Sequence, residues 1–130
     1  MDKRFLEDRL RELGIYSEYY HRLELKTVAA MVPYDEKLNC ILTGVYGNSR
    51  KMLAVTEARI LIVGAGPLVD TTVIVINRGT VTDWSFDKKF LLSSLSITAQ
   101  GKTYTLKQTQ GRHEKLFRWA MEQPIKEFEQ

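Results

Sequence analysis

At Leu38 the hydrophobic period of the chain changes from about 3.6 residues to about 2, and it does not change back until Gly111. That change restricts the fold more than any other feature. Leu38, Cys40, Leu42 and Tyr46 alternate with Asn39, Ile41, Thr43 and Val45, so the first strand is apolar on both sides for part of its length and is expected to be covered on both faces. Further strands are expected at about 51–56, 59–64, 69–77, 80–87, 92–99 and 102–108. The centre of this region is Met52–Val69, two apolar strands around a tight turn at Thr56-Glu57-Ala58, followed by a turn at Gly64–Pro67. Gly47-Asn48-Ser49 carries turn chemistry, Asn77-Arg78-Gly79 and Gln100-Gly101 read as hairpin turns, and Asp87-Lys88-Lys89 as a looser one. Six or seven short strands with no helix between them predict an antiparallel barrel or sandwich.

Helical patterns flank the strands. Phe5, Leu6, Leu10 and Leu13 recur at helical spacing within 2–13, and Gly14 is placed to end that helix. Ser17 is expected to cap a second helix with His21, Leu25, Val28 and Val32 in one stripe, stopped by Pro33. The pair is expected to cap the core, the alternative being an arm for another subunit. A last helix opens at Gly111-Arg112-His113-Glu114 and ends before Pro124. Its apolar residues Leu116, Phe117, Trp119, Ala120 and Met121 span more than half its circumference, so it must pack on the sheet, with Trp119 as the expected anchor.

Composition excludes several classes. An apolar fraction of 44% and a charged fraction of 27% are those of an ordinary globular chain, and 130 residues suit one domain with a real core. The longest uncharged apolar run, Ile60–Val69, is half the length of a membrane-spanning helix, and the first residues lack an apolar signal core. The net charge of +3 arises wholly between residues 27 and 110, with no clustered basic face, so nucleic acid is not an expected partner. Cys40 is the only cysteine and has no internal disulfide partner, which makes a cytoplasmic location the expectation.

No catalytic or cofactor motif is complete. Ile62–Val69 opens like a dinucleotide-binding fingerprint, with Asp83 near the distance of a ribose ligand. The third glycine position is Val69, however, and the β-branched run Thr71–Ile76 is a poor helix to face a pyrophosphate. His21, Cys40 and His113 have no metal-ligand spacing, and no serine lies in a nucleophile elbow. No catalytic residue, metal or cofactor is therefore expected. Two loops have binding character: Asn48-Ser49-Arg50-Lys51, and Asp87 to Leu92, where Lys88 and Lys89 adjoin Phe90, Leu91 and Leu92. Lysines beside large apolar residues suit an anionic membrane surface. The competing expectation is that Lys88 and Lys89 solvate a hairpin tip while Phe90 and Leu92 begin the next strand.

A small barrel closed by one amphipathic helix is the plan of a pleckstrin-homology (PH) domain, and the chain resembles more closely the bacterial PH-like family named after YokE. The resemblance lies in LTGVY at Leu42–Tyr46 after the acidic turn Asp35-Glu36, and in MLAVTEARILIVGAG, where Thr56 closes one strand and Arg59 opens the next. GTVTDWSFDKKFLLSSLSIT, GKTYTLKQ and HEKLFRWA extend it through the later hairpins and the closing helix. The resemblance implies a mainly β fold: two orthogonal antiparallel sheets of about seven strands, capped by a C-terminal helix. Residues 1–22 are expected as a helical extension, 23–123 as the PH-like domain and 124–130 as a tail. Lipid-binding PH domains use several basic residues around the first hairpin loop, where this chain offers Arg50 and Lys51. The expected function is a non-enzymatic module binding protein, itself included, with Phe5, Leu6, Leu10 and Leu13 as the contact face. The alternative is peripheral membrane or anionic-ligand binding through Arg50, Lys51, Lys88 and Lys89.

Overall fold

The computed structural model describes residues 1–64 and 72–126. Within them the chain forms helices α1 (Lys3–Glu12), α2 (Tyr16–Tyr19) and α3 (Glu24–Met31), then strands β1 (Leu38–Tyr46), β2 (Ser49–Thr56), β3 (Arg59–Val63) and β4 (Val73–Asn77). Strands β5 (Val81–Asp87), β6 (Ser93–Ala99) and β7 (Lys102–Thr109) follow, and helix α4 (Glu114–Glu122) closes the fold. The expected turn at Gly64–Pro67 lies, apart from Gly64, outside the described residues.

The seven strands form one antiparallel sheet in the order β4-β3-β2-β1-β7-β6-β5, built as two segments. Segment β4-β3-β2-β1 meets segment β7-β6-β5 at a single register pair, Val45 with Lys107. Gly44 makes this junction possible: a Cβ there would lie 2.8 Å from the Thr109 methyl and 2.9 Å from the Lys107 carbonyl oxygen. The sheet thus divides into two segments, as expected, joined where β7 passes close over β1. Gln100 and Gly101, at φ 53° and 77°, form the tight turn between β6 and β7.

Asn77-Arg78-Gly79 is not a hairpin. β4 pairs with β3 and β5 with β6, so the chain must pass here from one edge of the sheet to the other. A single 3₁₀ turn, Arg78–Thr80, makes the corner. The Arg78 guanidinium is buried and donates to the carbonyl oxygens of Thr56 (3.1 Å), Met121 (2.9 Å) and Gln123 (3.1 Å). It ties the corner to the β2–β3 turn and to the end of α4, and desolvation lowers its pKa.

Two apolar clusters lie on opposite faces of β1–β3. The inner one joins Cys40, Leu42, Leu53, Val55, Ile60 and Ile62 to Phe86, Leu95, Ile97 and Leu106 of the other segment. Phe117 of α4 plugs it, with its ring centroid 5.7 Å from Trp84 and 5.9 Å from Phe86. Phe117 is the anchor in place of Trp119, which is 42% exposed. Two residues apart on a helix means roughly 200° apart around it, so both cannot face the barrel. The outer cluster packs Leu6, Leu10, Tyr19, Leu25 and Val28 of the helices onto Ile41, Met52, Leu61 and Val63. The helices are a cap, and β1 is covered on both faces as expected.

Asp2 caps α1 by accepting from the Arg4 amide at 2.9 Å, and Gly14, at φ 76°, follows its end. The expected second helix is broken into α2 and α3, with Ser17 inside α2 and His21 exposed between them. Tyr19 and Leu25 are both buried, yet six residues apart they would point about 120° apart on one continuous helix. Breaking the helix lets both reach the core.

Candidate docking surface

The loop between β5 and β6 departs from the burial that governs the rest of the fold. β6 begins at Ser93, so Phe90 and Leu92 do not start a strand. Phe90 is 99% exposed, Leu91 78% and Leu92 53%. The base of the loop is fixed while its tip projects. Ser93 is buried, and its hydroxyl accepts from the Lys89 amide at 3.1 Å. The Lys88 stem lies over Gly111, where a Cβ would come within 3.2 Å of two of its carbons. Asp87 and Lys89 form an exposed ion pair at 3.6 Å. With both ends of the loop held, its three apolar side chains stand away from the barrel.

The four basic residues expected to act together stand in two places. Arg50 is exposed on β2 opposite Val45, whereas Lys51 is buried on the same strand face as Leu53 and Val55, its ammonium donating to the Ser49 hydroxyl. The register separates this pair from Lys88 and Lys89. Val45 sits at Lys107 of β7, and the β1–β2 turn lies beyond it toward Tyr104, whose ring is 6.3 Å from that of Tyr46. The β5–β6 loop adjoins Ser93, which sits at Thr109 in the other direction. Only the second pair accompanies exposed apolar residues.

The expected protein-contact face on α1 is largely consumed by the fold. Leu6 and Leu10 have no exposure, and Leu13 packs partly buried beside them. Phe5 remains half exposed, its ring edge-on to Tyr34 at 5.1 Å. Between α1 and α4 lies a cleft of about 350 Å³ with Trp119, Leu13 and Pro124 among its walls. Three of its charged side chains already have partners: Arg9 bonds the Leu38 carbonyl at 2.6 Å and Glu12 at 2.9 Å, and Glu57 accepts from the Lys37 amide at 2.9 Å.

Two polar clusters have structural work. Glu36, buried, receives Arg59 on both carboxylate oxygens, at 2.8 and 2.9 Å, and accepts from the Thr56 hydroxyl at 2.6 Å. The same hydroxyl accepts from the Arg59 amide at 3.0 Å, locking the β2–β3 turn. His113, also buried, has Nε2 3.3 Å from Glu18 and 3.4 Å from the Tyr19 hydroxyl, joining α2 to the start of α4. Burial lowers the His113 pKa and, with the Glu18 charge, raises that of Tyr19. Burial also raises that of Cys40, which leaves its thiol an unreactive core group. Among the described residues no three His, Cys, Asp or Glu side chains are grouped to hold a metal, and no helix is long and apolar enough to cross a membrane. Of the nucleotide-like segment, residues 65–69 lie outside the described residues, and the chain resumes its pattern as strand β4 rather than as a helix.

A family profile described as "Bacterial PH domain" matches residues 33–120, and the chain belongs to that family. Among solved structures it is similar to a DUF1696 family protein with a pleckstrin-homology domain from Shewanella loihica PV-4. The identity is 15% and the TM-score 0.46, over 73% of this chain and 91% of that one. It is also similar to a pleckstrin homology domain from Shewanella amazonensis SB2B, at 14% identity and a TM-score of 0.48, over 74% and 94% of the two chains. No curated protein matches.

Proposed function

We propose that this bacterial PH domain is a non-enzymatic cytoplasmic docking module that binds through the tip of its β5–β6 loop. One observation carries the reading: three consecutive large apolar side chains stand in solvent on an anchored loop, in a chain that buries most of its others. Burying such a side chain is worth about 1.5–3 kcal/mol, so covering all three would support reversible binding without a deep pocket. The YokE-like branch is the subfamily we assign, on the strength of Thr56, Arg59 and the acidic turn before β1; these residues build the fold and leave the task to the loops.

A second reading has an observation of its own. Phe5 and Tyr34 form an exposed aromatic pair on the helical cap, suited to a protein partner or a second copy of the chain. A photo-crosslinking residue placed at Leu91 or at Tyr34 of the intact protein, activated in the host cell, separates the two. An adduct at Leu91 supports the tip. Adducts at Tyr34 alone would overturn it in favour of the aromatic pair.

A further inference from the structure

Resting on the reading of the β5–β6 tip as the docking surface, we infer that its occupant is an anionic lipid surface: Phe90, Leu91 and Leu92 enter the boundary between headgroups and acyl chains while Lys88 and Lys89 stay at headgroup level. The shape of the tip favours this over a protein. A stable protein interface takes about 800 Å² and about 20–30 residues from each side, arranged around a buried centre. Here three side chains project from the short loop between Asp87 and Ser93, and the strand surfaces behind them are polar. Ser96 and Thr98 of β6 face Thr105 and Thr103 of β7, with hydroxyl pairs at 3.0 and 2.9 Å, so the apolar area does not extend down the sheet. A convex apolar point without an apolar surround fits a deformable phase that closes around it.

The charges are placed to match. Lys88 and Lys89 immediately precede the apolar triplet, and their long stems let the ammonium groups stay in water while the tip goes deeper. Asp87 offsets part of this charge through Lys89. Nearby, on a second 3₁₀ turn at Gly111–His113 and on α4, Arg112 is paired with Glu18, and Arg118 with Glu114 at 3.1 Å, so those cations add little to the attraction. Recognition of this kind reads surface charge and packing and holds no individual phosphate in a pocket. It differs in loop and in chemistry from a phosphate site at the first hairpin, where Lys51 is buried and the turn carries no apolar residue.

The test is flotation of the intact protein with vesicles of phosphatidylcholine alone, and of phosphatidylcholine mixed with phosphatidylglycerol. The expected result is flotation with the mixed vesicles only, weakening with added salt. Lys88→Glu/Lys89→Glu and Phe90→Ser/Leu91→Ser should each reduce it about tenfold or more, with unchanged circular dichroism. Phe90→Trp should add emission that shifts to the blue on the mixed vesicles. Equal flotation with both vesicle types, or with neither, overturns the lipid assignment. A protein adduct at Leu91 without flotation then leaves the docking surface standing with a protein occupant. No adduct and no flotation overturns both.

Discussion

The two segments of the sheet are built to the same plan and treated differently by the rest of the chain. Strands β2 and β3 read as almost continuous buried runs, because the barrel interior covers one face and helices α1–α3 cover the other. Strand β6 alternates strictly, with Ser93, Leu95, Ile97 and Ala99 inward and Ser94, Ser96 and Thr98 outward. A sheet covered twice has little surface left with which to meet a partner. A sheet covered once keeps a solvated face and can carry an exposed loop at its end. The two basic loops follow the same division: Lys51, on the doubly covered segment, is buried with its ammonium on the Ser49 hydroxyl, while Lys88 and Lys89, on the other, remain exposed. The first segment is buried on both faces, and the docking role proposed above falls to the segment that keeps a solvated one.

The largest test of that division is Leu10→Ala. Leu10 lies in an N-terminal helix outside the segment that matches the family, yet it is fully buried against the outer face of the strands. The substitution should cost about 2–5 kcal/mol in urea unfolding, as a core truncation does. A midpoint equal to that of the unaltered chain would mean that the helices are an appendage, and the contrast between the segments would collapse.

Much of this is legible in the sequence, for identifiable reasons. A period of two marks strands, and Gly or Asn at Gly47 and Gly101 marks turns that need positive φ. Thr56, Arg59 and Glu36 were recognisable as a pattern, and their geometry explains the pattern, since one carboxylate serves both the strand end and the next strand's arginine. What stayed hidden depends on long-range placement. Asn77-Arg78-Gly79 has the composition of a hairpin, and only the strand order makes it a corner between opposite edges. Trp119 and Phe117 are both large and apolar, and periodicity alone does not choose which of them the barrel takes. Phe90 and Leu92 fit the alternation of a strand as well as that of a tip. Ladder pairing begins at Ser93, where the serine hydroxyl holds the Lys89 amide.

The division sharpens further with one substitution made in both loops. Lys51→Glu replaces a buried ammonium that donates to Ser49 with a buried carboxylate and should cost about 2–3 kcal/mol. Lys88→Glu reverses the charge of an exposed side chain and should fall within about 0.5 kcal/mol of the unaltered protein. Chemical denaturation of the two variants is a direct reading of which loop belongs to the core. Equal losses would show that the β5–β6 loop also supports the fold, and would weaken its assignment to binding.

A pH-dependent effect lies at the seam where the helical cap meets α4. His113 is buried there, and desolvation, aided by the Arg112 charge and opposed by Glu18, holds its pKa below the ordinary 6.5. As pH falls through 6.5, the unfolded chain takes up a proton at this position before the folded one does. Stability should therefore be independent of His113 above that value, decline between it and the lower folded pKa, and level off beneath. Each unit of separation carries about 1.4 kcal/mol. Urea midpoints at about pH 7.5 and about pH 5.5 should differ in the unaltered protein and converge in His113→Gln, which keeps a polar group of similar size beside Glu18 and Tyr19. A midpoint that rises on acidification would mean that Glu18 outweighs burial and that the seam is an ion pair. The cap would then be held to α4 more tightly in acid. That outcome would leave the two-sided covering of the first segment intact while changing what fastens it.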